Sequence, residues 1–311
     1  MYTGKTRPQT ERPMRVETIT IKLHRKTDIV IVRDDYFPFY YGGNKARKSA
    51  LLLPYLEKLK HDAIVTTGGI QSNHCRVVAL ACAQRGWKCK LILHGSKKEF
   101  VNEKGNALLM RLAGADVSFV EPQEIGPAMD KAMIELSEKG FSPYYLHGGG
   151  HNKYGVQAFE DAVQELQQAI NPKDIPDHIF LASGTGSTQA GIIVGCEKVR
   201  WRNTKVKGIS VARDKTRGVE AISEAIGFVF PYPDRFSHNI HFYDDFLFGG
   251  YGIKDPQILS TIDDVASKTG IILDSTYTGK AFWGMMEIMR QEKLKGNILF
   301  WHTGGLLNLM A

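Results

Sequence analysis

The sequence has 311 residues, of which 43% are apolar, 23% charged and 10% aromatic. This profile excludes a disordered, collagenous or small disulfide-stapled chain, and at this length about three quarters of the unfolded surface is buried on folding. Lys and Arg number 40 against 33 Asp and Glu, a formal charge of +7; the early basic residues Lys5, Arg7, Arg12, Arg15, Lys22, Arg25 and Lys26 are interspersed with Thr, Pro and Glu, so no nucleic-acid surface is expected.

No firm element is expected before Val16, because the preceding segment is polar and contains Pro8 and Pro13. Residues 16–21 alternate weakly and 28–33 (DIVIVR) read as a short strand, followed by the aromatic segment Tyr36 to Tyr41. Gly42 and Gly43 place Asn44 and Lys45 at the start of a helix reaching about Lys60. From there, apolar, partly β-branched runs alternate with helical segments. The runs predict strands at 62–67, 88–93, 116–120, 143–147, 178–182, 205–211, 239–243, 271–274 and 297–301. Helices are predicted at 74–86, 102–113, 125–139, 154–169, 188–202, 215–226, 256–269 and 280–293.

Such alternation implies an α/β protein with mostly parallel sheets. The expected division is a small domain at 48–155 and a large one combining 1–47 with 156–311, with Gly148 to Gly150 and His151-Asn152 at the crossing. A closed eight-unit barrel is the architectural alternative. Cys75, Cys82, Cys89 and Cys196 form no CxxC pair, which points to free thiols and no metal site. There is no 18-residue apolar stretch and no apolar secretion core, so a cytoplasmic protein without a membrane segment is expected.

Five clusters could carry chemistry, and they fall at predicted strand ends or helix entrances, where open α/β sheets present ligands. In Gly42-Gly43-Asn44-Lys45-Ala46-Arg47-Lys48, a lysine beside glycines serves as a Schiff-base amine, a phosphate contact or a surface cation. In residues 66–76, from Thr66 to Arg76, Ser72 and Asn73 sit where free N–H groups hold a carboxylate, or where a helix is merely capped. Residues 183–191 (SGTGSTQAG) surround a phosphate or form an ordinary glycine-rich turn. They lack the dinucleotide fingerprint and the Gly-Lys-Ser/Thr ending of a Walker loop.

The fourth cluster is Asp274-Ser275-Thr276-Tyr277-Thr278-Gly279-Lys280, and the fifth is His302-Thr303-Gly304-Gly305. Tyr277, and Tyr251 in Gly249-Gly250-Tyr251-Gly252, transfer a proton, bond a substrate or simply pack. His302 and Thr303 finish a strand in the simpler reading. His147 and His151 read as pocket-edge or capping residues, and Trp283, Met285 and Met286 as packing beneath a sheet. Cys75 reads as a buried thiol.

Together, GGNKARK, GGIQSNHCR, GTGSTQAG, YTGK and HTGG resemble the pyridoxal-phosphate enzymes of the tryptophan synthase β-subunit superfamily. The resemblance runs from about Arg33 to Gly305 and is nearest to the branch containing 1-aminocyclopropane-1-carboxylate deaminase and D-cysteine desulfhydrase. It implies two open twisted sheets with flanking helices, the pyridoxal-phosphate fold type II, and a homodimer. It also implies that Lys45 bonds pyridoxal 5'-phosphate, Asn73 meets the cofactor's phenolic oxygen, and Gly184, Thr185, Gly186, Ser187 and Thr188 hold its phosphate. Thr303 is implied as the neutral partner of the pyridine nitrogen. Ser72, Asn73, His74, Tyr251 and Tyr277 are implied on the substrate side, with Lys45, Ser72, Tyr251 and Tyr277 as the catalytic set.

Thr278 stands where the cyclopropane-opening deaminases carry glutamate, and His74 where they carry glutamine. Both features favour a desulfhydrase-like lyase acting on a small amino acid, with D-cysteine the best specific choice. β-Replacement, racemisation and deamination of aminocyclopropane carboxylate are the alternatives.

Overall fold

The computed structural model describes residues 14–22 and 26–311. Lys5, Arg7, Arg12 and Arg25 and the prolines at 8 and 13 lie outside the described residues. Strands β1 (Val16–Lys22) and β2 (Lys26–Arg33) pair antiparallel as a hairpin. Helix α1 (Asn44–Lys58) then leads to β3 (Ala63–Gly69), α2 (Asn73–Arg85), β4 (Lys88–His94), α3 (Lys97–Asn102), α4 (Gly105–Leu112) and β5 (Asp116–Phe119). Next come α5 (Ile125–Glu138), β6 (Pro143–Leu146), α6 (Lys153–Ala169), β7 (His178–Ser183), α7 (Ser187–Lys198), β8 (Lys205–Ser210), α8 (Lys215–Gly227) and β9 (Ile240–Tyr243). Helices α9 (Pro256–Thr269) and α10 (Thr278–Gln291) precede β10 (Ile298–His302).

The strands form two open sheets, ordered β1-β2-β10-β7-β8-β9 and β5-β4-β3-β6, and the barrel alternative is not formed. Apart from the β1–β2 hairpin, every pairing is parallel. The central strands of the larger sheet are buried on both faces, so they read as continuous apolar runs. Along β10, Leu299 and Trp301 enter the core shared with α6 and α7, while Ile298 and Phe300 enter the core shared with α9 and α10. The smaller sheet repeats this: in β3, Ile64 packs toward α2 and α4, and Val65 toward α5.

Two predicted elements differ. The 271–274 strand is not formed: Ile271 and Leu273 are buried, so the run is apolar for packing. Its backbone is drawn into side-chain bonds instead, with Ile272 O meeting His302 Nε2 at 2.9 Å and Asp274 N donating to Thr278 Oγ1. The 102–113 helix begins later, at Gly105, and a separate short helix capped by Ser96, Lys97–Asn102, comes before it. Gly105 has φ +55°, and a Cβ there would lie 2.3 Å from Leu307 O.

Among the described residues, no helix is long and apolar enough to cross a membrane, and no group of three or more His, Cys, Asp or Glu could hold a metal ion. The His147 ring packs tilted against Tyr145, with centroids 5.0 Å apart, and His151 bonds Glu224.

Candidate active site

A cleft of about 420 Å³ opens where the ends of β3, β7 and β10 meet the entrances of α1, α2 and α7. That is the volume of a small-molecule site. Lys45, Ser72, Asn73, His74, Gly184, Thr185, Gly186, Thr188, Tyr251, Tyr277 and Thr303 all line it. The sequence clusters therefore converge from positions up to 258 residues apart.

Gly43 and Gly304 let the first and fifth clusters meet. Gly43 has φ +87°, a Cβ there would lie 2.8 Å from Thr303 O, and Asn44 N donates to that same oxygen at 3.0 Å. A side chain on either glycine would hold α1 away from the end of β10. Asn44 Nδ2 also reaches Thr188 Oγ1 at 3.2 Å, tying α1 to α7. Behind this seam Arg47 grips Asp34 and Glu165, and Trp301 Nε1 donates to Asp34 Oδ2 at 2.9 Å.

Lys45 Nζ donates to Gly149 O at 2.9 Å. Burial lowers its pKa to about 8, with the nearby Cys75 pulling the other way. One helical turn on, Lys48 is also buried; its Nζ donates to Ser187 Oγ at 2.8 Å, and burial beside Lys45 holds its pKa well below the usual range. A buried amine that sheds its proton easily is a nucleophile and a base. Cys75, by contrast, is pushed up to about 12 by burial and stays a thiol.

Ser72 caps α2, its Oγ accepting from Cys75 N at 3.2 Å. Asn73 Oδ1 accepts from Asn106 Nδ2 at 3.0 Å, which leaves the Asn73 amide as the donor end. The entrance of α7 has no side-chain cap, so its backbone N–H groups are free at the cleft. Ser187 is the exception among the predicted contacts: it is fully buried outside the cleft lining, and its hydroxyl lies between Lys48 and Gly150 O.

On the opposite wall the Tyr251 and Tyr277 hydroxyls are 2.5 Å apart, with their rings edge-on at 5.8 Å. Desolvation of the hydroxyls raises the pKa of both, although Tyr251 as a whole is 41% exposed, so the pair stays protonated at neutral pH. Thr278 does not face the cleft; it is buried and bonds Asp274.

Several cleft residues lie outside the five sequence clusters, among them His94, Gly149 and Arg213. Gly149 alone left a signal, as the middle of a Gly-Gly-Gly run. It has φ +72°, and a Cβ there would lie 2.8 Å from the Thr185 side chain and 3.2 Å from Lys45 Nζ.

A glycine-lined cleft holding a lysine amine of lowered pKa, uncapped amides and neutral hydroxyls suits a small anionic ligand that an amine can attack. Residues 12–304 match the family described as "Pyridoxal-phosphate dependent enzyme", and the chain belongs to that family, with the tryptophan synthase β-like fold. The chain is 31% identical over 297 residues to a D-cysteine desulfhydrase of Klebsiella pneumoniae, covering 93% of this chain and 90% of the relative. It is 35% identical over 301 residues to the mitochondrial "Bifunctional D-cysteine desulfhydrase/1-aminocyclopropane-1-carboxylate deaminase" of Arabidopsis thaliana, covering 91% of this chain and 73% of the relative. A crystal structure of an ACC deaminase homologue superposes with a TM-score of 0.83 at 28% identity, covering 96% of this chain and 91% of that one.

Proposed function

We propose that the cleft holds pyridoxal 5'-phosphate on Lys45 and removes the β-substituent of a small amino acid. D-cysteine is the substrate that best fits, converted with one water to pyruvate, sulfide and ammonia. The observation that carries this reading is the buried Lys45 amine at the seam where the α1, α2, α7 and β10 clusters meet.

The residues fit the cofactor. Thr67 Oγ1 and Ser183 Oγ are buried in the cleft wall without a partner, as expected of a site built around a polar ligand. The uncapped N–H groups of residues 184–188 suit a phosphate, the Asn73 amide a phenolic oxygen, and Thr303 a ring nitrogen that carries no charge. When bound, the cofactor supplies an electron sink for the charge left on Cα as its proton departs.

This chain's own residues do the rest. The N-terminus of α2 and the Ser72 hydroxyl bind the substrate carboxylate and fix its orientation. Lys45 Nζ takes the Cα proton, a task that suits an amine with a pKa of about 8. The protonated Tyr251–Tyr277 pair donates toward the departing sulfur. His74, neutral and buried, lines the cleft without adding charge. The Arabidopsis relative favours a second reading, deamination of aminocyclopropane carboxylate in the same cleft.

The test is borohydride reduction of the protein purified with pyridoxal phosphate, followed by peptide mass spectrometry and assay of sulfide from D- and L-cysteine. The reading expects the cofactor mass on Lys45, sulfide from the D-enantiomer, and neither in K45A. Cofactor on another lysine, or no sulfide from D-cysteine, overturns the corresponding part.

A further inference from the structure

Lys280 is fully buried on the first turn of α10, three residues after Tyr277. An ammonium is costly to take out of water unless its protons are all well placed, and a fold needing only to fill that space would use Met or Leu. Lys280 Nζ donates to two backbone carbonyls, Leu247 O at 2.8 Å and Gly250 O at 2.5 Å. Both belong to the connection between β9 and α9 that carries Tyr251.

The first part of that connection is anchored by Phe246 and Phe248, whose rings meet Trp283 edge-on at 5.5 and 5.0 Å, but the glycine turn that follows has few bonds of its own. Phe248, Gly249, Gly250 and Gly252 have φ of +49°, +81°, +117° and +77°, and Gly250 N to Leu247 O, at 3.0 Å, is a backbone bond within the turn. Such a run of left-handed residues is intrinsically mobile unless something fixes it. The other tyrosine has a matching device of opposite charge. Buried Asp274 accepts from Thr276 N and Tyr277 N through Oδ2, each at 3.0 Å, and from Thr278 N through Oδ1 at 2.8 Å. Two buried charges six residues apart thus each bind the backbone of one tyrosine-bearing turn.

We propose that Lys280 is a positioning residue: by holding the carbonyls of Leu247 and Gly250 it sets the Tyr251 hydroxyl against that of Tyr277, without itself touching substrate. Asp274 and Asp255 oppose the effect of burial on the Lys280 amine, which favours the charged form needed for both bonds. The inference rests on the reading that the two hydroxyls face the substrate, but its first measurement does not depend on which amino acid that is.

The test uses the holoenzyme and its K280M variant, which keeps the volume and removes the donors. Hydrogen exchange of residues 244–252 is expected to rise at least tenfold, with exchange at residues 183–191 and the cofactor absorption band unchanged. With D-cysteine, kcat/KM is expected to fall at least tenfold, and less than threefold when K280M is made in the Y251F background, because the tyrosine through which Lys280 acts is already lost. Should K280M fail to fold, G250A strains the same turn without crowding any neighbour, since no atom lies within 4 Å of a Cβ there. It is expected to raise exchange over the same residues. Unchanged exchange in whichever variant folds, or an equal loss of kcat/KM with and without Tyr251, overturns the proposal. Failure of the wild-type protein to release sulfide overturns the substrate reading alone and leaves the exchange comparison to decide this one.

Discussion

The Thr66 hydroxyl determines which nitrogen of His74 carries the proton. Thr66 Oγ1 donates its single proton to Leu146 O at 2.7 Å, so toward His74 Nε2, 2.9 Å away, it can only accept. Nε2 is therefore the protonated nitrogen and Nδ1 the acceptor. Burial, reinforced by Lys45 and Lys48, holds the imidazole pKa well below its usual value, so the neutral ring persists at neutral pH. Long-range nitrogen NMR of the wild-type protein should show a protonated Nε2, and T66V should show a mixture of tautomers. A wild-type spectrum with the proton on Nδ1 would contradict the assignment.

With the proposed attachment at Lys45, the amine predicts a pH dependence for cofactor loading. Its folded pKa of about 8 lies below the 10.5 of a free lysine, so the native chain binds fewer protons than the unfolded one between those values. Stability from this group therefore rises with pH across that window, and the neutral amine becomes the majority form above pH 8. The rate at which the apoprotein combines with pyridoxal phosphate should rise through an inflection near 8, followed by absorbance. An inflection at the free-lysine value would show that burial does not tune this amine.

Gly149 is the position where the smallest addition should do most harm in the cleft. In G149A the new methyl meets Thr185 and Lys45 Nζ and must adopt φ +72°, a strain of about 1 kcal/mol or more. Pyridoxal phosphate should bind at least tenfold more weakly, because the added methyl pushes on both the Thr185 side chain and Lys45 Nζ. Equilibrium titration with pyridoxal phosphate measures it, and wild-type affinity would show that the wall yields.

Arg47 tests the seam behind the cleft. Its guanidinium bonds Asp34 Oδ1 and both oxygens of Glu165, and Asp34 is 2% exposed. R47M leaves a buried carboxylate uncompensated, at a cost of about 3–5 kcal/mol. Urea unfolding should show the midpoint falling accordingly, while D34N/R47M should recover part of the loss. No recovery would mean that Asp34 is not the stranded charge.

The fold was largely readable in the sequence because its strands are short apolar runs separated by amphipathic helices, and each glycine cluster falls where such a run ends. Residues 271–274 show the limit: burial makes Ile271 and Leu273 look like strand residues, but whether a backbone pairs or is taken up by Asp274, Thr278 and His302 is a tertiary matter. Lys45 stood out through its neighbours, whereas Lys48 and Lys280, though inside the first and fourth clusters, received no role of their own, since nothing local announces that a lysine will be buried. For Ser187 the sequence does not separate side chain from backbone: its hydroxyl is taken by Lys48, which leaves its N–H as the group it offers at the entrance of α7.

Strand β10 lies between β2 and β7 in the middle of the larger sheet. During synthesis, β2 and β7 emerge long before the strand that must separate them, so two apolar, unsaturated strand edges stay open until residue 302 has left the ribosome. They must neither pair with each other nor recruit a neighbouring polysome chain in that interval. Because Thr303 follows β10 directly, the same late event that closes the sheet also completes the Lys45 cleft, and a nascent chain caught before it would present aggregation-prone edges and no enzyme.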